Sequence, residues 1–379
     1  METKKPFEPA RIGGIEVKNR IVRSATHEGA AEKGKVSERI LAMHRDLSEG
    51  GIGLIITGYV CVSETDHPGT TTVTATDDSC IDGLRTWADT VHGYGTKIIA
   101  QLNHASSQIF LQPRGTVYGP SAVVDPITGI TPVPFTTEQI RELVSEFGAA
   151  AFRVKTAGFD GVQIHGAHGY LINRFLSPAF NKRTDDYGGT PEKNRRLVLE
   201  ILDAIKAKCG RDFPVWIKLN CSDFAPEGEG FDRKEFLSVS RELAGKGIDA
   251  IEVSGGTLFG QNTPSRSKKH TAYHLDFAEN LLETVDVPVV LVGGLRSIDT
   301  IDTILSQTKI EAVALSRSLI REPDLVKRWI SGDHKDAACV ACNGCFNPSG
   351  TRCFFLLSEE EKAGQKEVMK FMGSLGKKP

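Results

Sequence analysis

Eight short apolar segments, separated by helical patterns, constrain the fold of this chain more than any other feature. They read IVRSAT (21–26), GLIITG (53–58), KIIAQL (97–102) and GVQIHG (161–166), then VWIKLN (215–220), AIEVSG (250–255), PVVLVG (288–293) and AVALSR (312–317). Each is rich in β-branched or aliphatic residues and is bounded by Gly, Pro or polar residues. Near-continuous apolar runs suit parallel strands buried on both faces.

Amphipathic segments lie between these runs. TTEQIRELVSEFGAAAFRVKTAG places Ile140, Leu143, Val144, Phe147, Ala151 and Val154 on one helical face, with threonine available as N-cap. TPEKNRRLVLEILDAIKAKCG opens with Thr190 as cap and Pro191 at the first helical position, and stops at Gly210. Asp232 and Glu235 have the spacing of a capping box, and SERILAMHRDLSEGG and IDGLRTWADTVHGYG are two further helices ending at glycine. Strands alternating with helices predict βαβ units and a parallel sheet. Eight repeats predict an α/β fold of the (β/α)8 TIM-barrel type over residues 1–335, with a short Cys-containing C-terminal extension over 336–379. An open doubly wound sheet would carry a G-x-G-x-x-G turn after an early strand, and the sequence has none.

The chain has 379 residues, 40% hydrophobic and 25% charged, with a formal net charge of −2. These values fit a globular protein whose core needs no disulfide or metal staple. No basic block points to nucleic acid, and no run of about 18 apolar residues points to a membrane span. The N-terminal METKKPFEPARIGG lacks an apolar signal core, so the eight cysteines are expected in a reducing, cytoplasmic setting.

A barrel carries its active site at the C-terminal ends of its strands. The polar residues there are Ser24, Thr26, Thr57, Gln101, His104, His165, His168, Lys218, Asn220 and Ser254. Two long loops, 105–135 and 171–189, are expected to form a lid or pocket wall. Strands seven and eight end in VGGLRSIDT and ALSRSLIREP. Backbone N–H groups at Gly293, Gly294 and Ser316 and the guanidinium of Arg317 suit an anionic phosphate there. A tight turn beside a surface arginine is the bland alternative.

His165 and His168 leave three readings open. With His104 they could share a metal. They could instead aim two N–H donors at one substrate oxygen, with Tyr170 as proton donor. They could also be ordinary strand-end polar residues.

HGAHGYLINRFLSPAFNKRTDDYGG (165–189) closely resembles the signature of the Old Yellow Enzyme family of FMN-dependent oxidoreductases. Supporting similarity runs from NRIVRSAT to LIREPDL. The resemblance implies that His165 and His168 bind the oxygen of an activated alkene, such as an α,β-unsaturated carbonyl or nitro compound, and that Tyr170 donates the proton. It implies FMN as cofactor and NADH or NADPH as reductant. Gln101 would bond the flavin pyrimidine ring, Lys218 would lie near flavin N1 and O2, and Ser24, Ala25, Thr26 and Gly58 would flank the ring. Gly293, Gly294, Ser316 and Arg317 would hold the FMN phosphate. Two positions depart from the family: His27 stands near the place of a flavin-tuning threonine or cysteine, and Ser316 where glycine is common.

CVACNGCFNPSGTRC holds Cys339, Cys342, Cys345 and Cys353. Such spacing can hold a [4Fe–4S] cluster or zinc, and it resembles the run found after the barrel in the 2,4-dienoyl-CoA reductase / trimethylamine dehydrogenase branch. That branch continues into a dinucleotide-binding half, which this chain is expected to lack. The last spacing is also short for that branch, so reduced structural thiols are the other expectation and no metal ligand is assigned. An amine or C–H dehydrogenase passing electrons through such a cluster to a partner protein is the alternative to alkene reduction. A homo-oligomer stays open.

Overall fold

The computed structural model describes residues 3–66, 69–109, 113, 115–257, 270–345 and 350–375. Side chains at 368, 369 and 371–375 lie outside that description.

All eight apolar runs form strands: β1 (Ile21–Arg23), β2 (Leu54–Cys61), β3 (Lys97–Asn103), β4 (Gly161–Gly166), β5 (Val215–Asn220), β6 (Ala250–Ser254), β7 (Val289–Val292) and β8 (Ala312–Leu315). They close in sequence order, β8 pairing with β1, into one parallel barrel. Register shifts once, by a bulge in β2 between Ile56 and Tyr59. Such a bulge re-aims side chains beside a site.

The helices packed outside include α1 (Glu38–Glu49), α2 (Ile81–His92), α3 (Thr137–Thr156), α4 (Arg196–Cys209), α5 (Arg233–Gly245), α6 (Leu275–Leu282) and α7 (Ile298–Gln307). Thr136 and Gln139 cap α3 with a full capping box, and Ile140, Leu143, Phe147, Ala151 and Val154 are buried as its apolar spacing predicts. The segment opened by Thr190 is two helices, not one: Pro191–Asn194 ends at Arg195, where α4 begins. Arg195 Nε bonds the Pro191 carbonyl at 3.2 Å while its Nη1 reaches Ser238 and Glu242. Tertiary contacts at that arginine thus divide a run whose pattern is continuous.

A feature absent from the sequence reading closes the barrel floor. The antiparallel pair Ala10–Ile12 and Ile15–Val17 buries Ile12, Ile15 and Val17 against Val22, Leu54, Ile99, Trp216 and Val290. Trp216 Nε1 donates to the Gly13 carbonyl at 3.1 Å. With the floor packed in this way, the polar mouth lies at the strand C-termini.

Residues after the barrel pack back onto that open end. Thr351 donates its N–H to the Glu28 carbonyl at 2.7 Å and its hydroxyl to the His27 carbonyl at 2.5 Å. Arg317 bonds Asn343, and Arg321 Nη1 lies 3.8 Å from Cys353 Sγ. On either side of residues 346–349, Asn343 and Cys353 therefore meet the β8 end and Thr351 meets the β1 loop. Among the described residues no helix is long and apolar enough to cross a membrane.

Candidate active site

Alternation along the strands turns a set of polar residues inward, where they form one buried network. Gln101 on β3 donates Nε2 to Gln163 Oε1 on β4 at 2.8 Å. Gln163 donates Nε2 to Glu252 Oε2 on β6 at 2.8 Å. The Ser24 hydroxyl donates to Glu252 Oε1 at 2.7 Å, and Lys218 Nζ on β5 donates to Ser24 Oγ at 2.9 Å. Burial pulls the Lys218 ammonium below its usual value, and the Glu252 carboxylate beside it pushes back. The network leaves a fixed cation at the barrel mouth with its counter-charge beneath it.

Gln163 and Glu252 were missed in the sequence because they sit inside apolar runs. The available signal was a lone carboxamide or carboxylate at an inward position of a buried strand, which must be bonded to be tolerated.

Two residues with left-handed backbone, His168 (φ 64°) and Gly169 (φ 81°), fold the chain back after β4. The turn brings three rings together. The His165 ring lies 5.3 Å from His168 and 4.9 Å from Tyr170, centroid to centroid. His168 is held by Ser254, Nε2 to Oγ, at 2.7 Å. His165 Nδ1 is buried and has no hydrogen-bond partner among the described residues. Burial, reinforced by the charge on Lys218, keeps the His165 imidazole well below its ordinary value and therefore neutral.

Tyr59 lies 6.1 Å from Tyr170 and 5.9 Å from His27, which stacks on it. His27 is thus the end of a row of rings along the mouth, and burial lowers its basicity against the opposing Glu28.

At the opposite side, Gly293 (φ 133°) and Gly294 (φ 71°) follow β7. A Cβ on Gly293 would lie 2.7 Å from the Tyr273 ring, and one on Gly294 2.7 Å from the His270 carbonyl oxygen. Only glycine fits this turn. Gly293, Gly294, Ser316 and Arg317 border a small cavity of about 60 Å³. A larger one, about 400 Å³, joins Ser24, Ala25, Lys218, His168 and Tyr170 to Gly293, Ser316 and Arg317. With Ser254, which lines it too, nine of the residues singled out from the sequence thus border one space.

The others sit around it. Thr26 bonds Ser316, Oγ1 to Oγ, at 2.8 Å and ties the β1 loop to the β8 end. Gln101 belongs to the buried network and does not border the cavity. Gly58 does not border it either; its N–H donates to Glu28 Oε1 at 2.7 Å, and a Cβ there would lie 2.1 Å from Glu28 Oε2. Glu28 is held in turn by His44 Nε2 at 3.1 Å, whose Nδ1 accepts from Trp87 Nε1 at 2.8 Å. Burial pushes the Glu28 carboxyl up, but His44 and the Gly58 N–H outweigh it and keep it ionised.

Neither metal reading acquires a binding set. His104 is engaged through Nδ1 with the Ser106 N–H at 3.0 Å and through Nε2 with Thr65 at 3.2 Å. Burial, then the neighbouring cysteines, pushes the Cys345 thiol up to about 11. Among the described residues, however, no three His, Cys, Asp or Glu side chains come together in a group that could hold a metal ion. No metal chemistry is derived for Cys339, Cys342, Cys345 and Cys353.

The sequence profile of the family described as NADH:flavin oxidoreductase / NADH oxidase matches residues 5–336. The NADPH dehydrogenase of Bacillus licheniformis is 34% identical over 85% of this chain and 93% of its own length. The metal reductase of Desulforamulus reducens is also 34% identical, over 90% of this chain but 51% of its own length. The histamine dehydrogenase structure from Rhizobium sp. 4-9 superposes with a TM-score of 0.80 at 28% identity, covering 92% of this chain and 52% of that one. The chain therefore spans about half the length of two of these three relatives. By profile, barrel and identity together, the chain belongs to the NADH:flavin oxidoreductase / NADH oxidase family, whose members are FMN-dependent oxidoreductases.

Proposed function

We propose that the chain is an FMN-dependent NAD(P)H oxidoreductase that reduces activated alkenes, such as α,β-unsaturated carbonyl or nitro compounds. The observation that carries this reading is the buried, unpartnered Nδ1 of His165 beside the Tyr170 ring. An orphaned donor or acceptor in a closed site costs about 1–3 kcal/mol, so its retention points to a ligand atom that satisfies it.

The chemistry of the cavity suits FMN. Gly293, Gly294, Ser316 and Arg317 would hold its phosphate through backbone N–H groups and a guanidinium. Ser24, Ala25 and Thr26 would flank the ring, with Gly58 behind them, while Lys218 would face its polar edge and Gln101 would back it from the buried network. A buried ammonium there favours negative charge on the ring. FMN held there and reduced by NADH or NADPH would supply hydride for the β-carbon of the alkene.

This chain's own residues do the rest. His165 and His168 donate N–H groups to the substrate oxygen, which draws electron density from the double bond. The neutral imidazole of His165 suits this task because it polarises the oxygen without surrendering a proton. Tyr170 transfers its phenolic proton to the α-carbon, and the phenolate left behind is reprotonated from water.

Tyr170→Phe tests the reading. Alkene reduction should fall by about 100-fold or more, the usual worth of a positioned general acid. Flavin reduction by NAD(P)H and reoxidation by a quinone should persist, because neither needs protonation at carbon. Undiminished alkene turnover in that variant would overturn the assignment.

A further inference from the structure

A buried carboxylate, two hydrogen bonds away, holds the turn that gathers the ring cluster. His168 and Gly169 both have left-handed backbone, which the side chain of His168 disfavours. Such a turn persists only where its surroundings fix it. The Gly169 N–H donates to Asn173 Oδ1 at 2.7 Å, and the His168 N–H to Asn220 Oδ1 at 3.4 Å. The Gly169 carbonyl accepts from Arg174 Nε at 2.5 Å. That guanidinium is fixed in turn by Ser107 Oγ, 2.9 Å from Nη1, and by Asp125.

Asp223, in the loop after β5, decides which way the two carboxamides face. Its Oδ1 accepts from Asn173 Nδ2 at 3.2 Å and from Asn220 Nδ2 at 2.8 Å. Its Oδ2 accepts from the Ser177 hydroxyl at 2.6 Å and from the Phe231 N–H at 2.9 Å. Asp223, Asn173, Asn220 and Ser177 are all buried. A carboxylate only accepts, whereas a carboxamide donates from its nitrogen and accepts at its oxygen. With both amide nitrogens drawn to Asp223, both amide oxygens are turned to the two N–H groups of the turn. Burial pushes the Asp223 carboxyl up, and these four hydrogen bonds oppose that rise.

We propose that Asp223 is a positioning residue for the reaction: by turning the carboxamides of Asn173 and Asn220 toward the His168–Gly169 turn, it sets His168 and Tyr170 at the cavity. The inference rests on those two side chains being groups that bind and protonate the alkene. Asp223 does not border the cavity and acts through its two neighbours. Ser254 orients the His168 ring, whereas Asp223 fixes the backbone from which that ring and the Tyr170 phenol project. Tyr170 follows Gly169 directly and stands at the start of the short helix Leu171–Leu176, which carries Asn173. A carboxamide turned the other way would set its own amide hydrogens against a peptide N–H. The turn would then lose that bond, and with it the placement of the phenol.

Asp223→Asn and Asn173→Leu in the FMN-loaded protein test the proposal. The first keeps the shape but ends the acceptor-only character; the second cuts the bond to Gly169 and leaves the carboxylate in place. Each should lower kcat for alkene reduction by about 10- to 100-fold, the scale of a misplacement near 1 Å. Amide hydrogen exchange across residues 165–175 should quicken in both, while the strands keep their protection. Bound flavin absorbance reports that the barrel is folded. In a chain already carrying His168→Ala and Tyr170→Phe, adding Asp223→Asn should cost almost no further activity. An equal loss in that background would mean general damage and overturn the positioning role. If Tyr170→Phe abolishes alkene reduction while Asp223→Asn and Asn173→Leu leave kcat in place, Asp223 has no part in the reaction and the Tyr170 assignment stands. If Tyr170→Phe itself changes nothing, the proposed reaction falls and the role of Asp223 falls with it.

Discussion

Lys218 and Glu252 are register partners on adjacent strands of the barrel, and their side chains pair at 3.4 Å with both almost completely withdrawn from solvent. Glu252 also accepts from Ser24 and Gln163, so its carboxylate anchors three strands and the β1 loop at once. The cation that faces the candidate cofactor therefore depends on a carboxylate one layer deeper.

Glu252→Gln should be strongly destabilising, by about 3 kcal/mol, because removing one partner strands the other charge in the core. Lys218→Met in the same chain should restore most of that loss. The denaturant midpoint measures both. A single variant as stable as the parent would mean the pair contributes nothing.

Arg317 is the one guanidinium assigned to the phosphate. Arg317→Ala should weaken FMN binding by about 10- to 100-fold, the range of a charge-assisted hydrogen bond. Riboflavin, which lacks the phosphate, should bind the variant and the parent alike. Equal losses for both flavins, measured by fluorescence titration of the apoprotein, would place the phosphate elsewhere.

The neutral state of His165 has a consequence for acid stability. Its value in the folded protein is depressed well below the ordinary one. Above the unfolded value of about 6.5 the imidazole is neutral in both states and contributes no pH dependence. As pH falls below that point, the unfolded chain takes up the proton first and folding stability is lost. His165→Gln removes this contribution. Between pH 6.5 and 5 its stability should fall less steeply than the parent's, by up to one proton's worth of slope. Identical slopes in urea denaturation across that window would show that His165 titrates normally in the fold.

The barrel was legible because its strands are buried on both faces. Such strands appear as continuous apolar runs, and all eight were found within a few residues of their ends. The histidine pair and Tyr170 were legible because a long family signature surrounds them. Gln163 and Glu252 were hidden within those same runs, where one polar letter among aliphatic ones gives no partner. Arg174 was hidden for another reason: it works through contacts with a loop that is distant in sequence.

Sequence alone determined the order and type of the elements, the glycine turn after β7 and the identity of the mouth residues, all of which follow from periodicity and local backbone chemistry. Tertiary structure decided which polar residues meet. It paired Lys218 with Glu252 across a strand boundary, sealed the floor with the N-terminal hairpin, and set Thr351, from beyond the barrel, on the β1 loop. Those contacts depend on barrel closure and strand register, which bring together residues up to some 300 positions apart, and no local pattern encodes such a meeting.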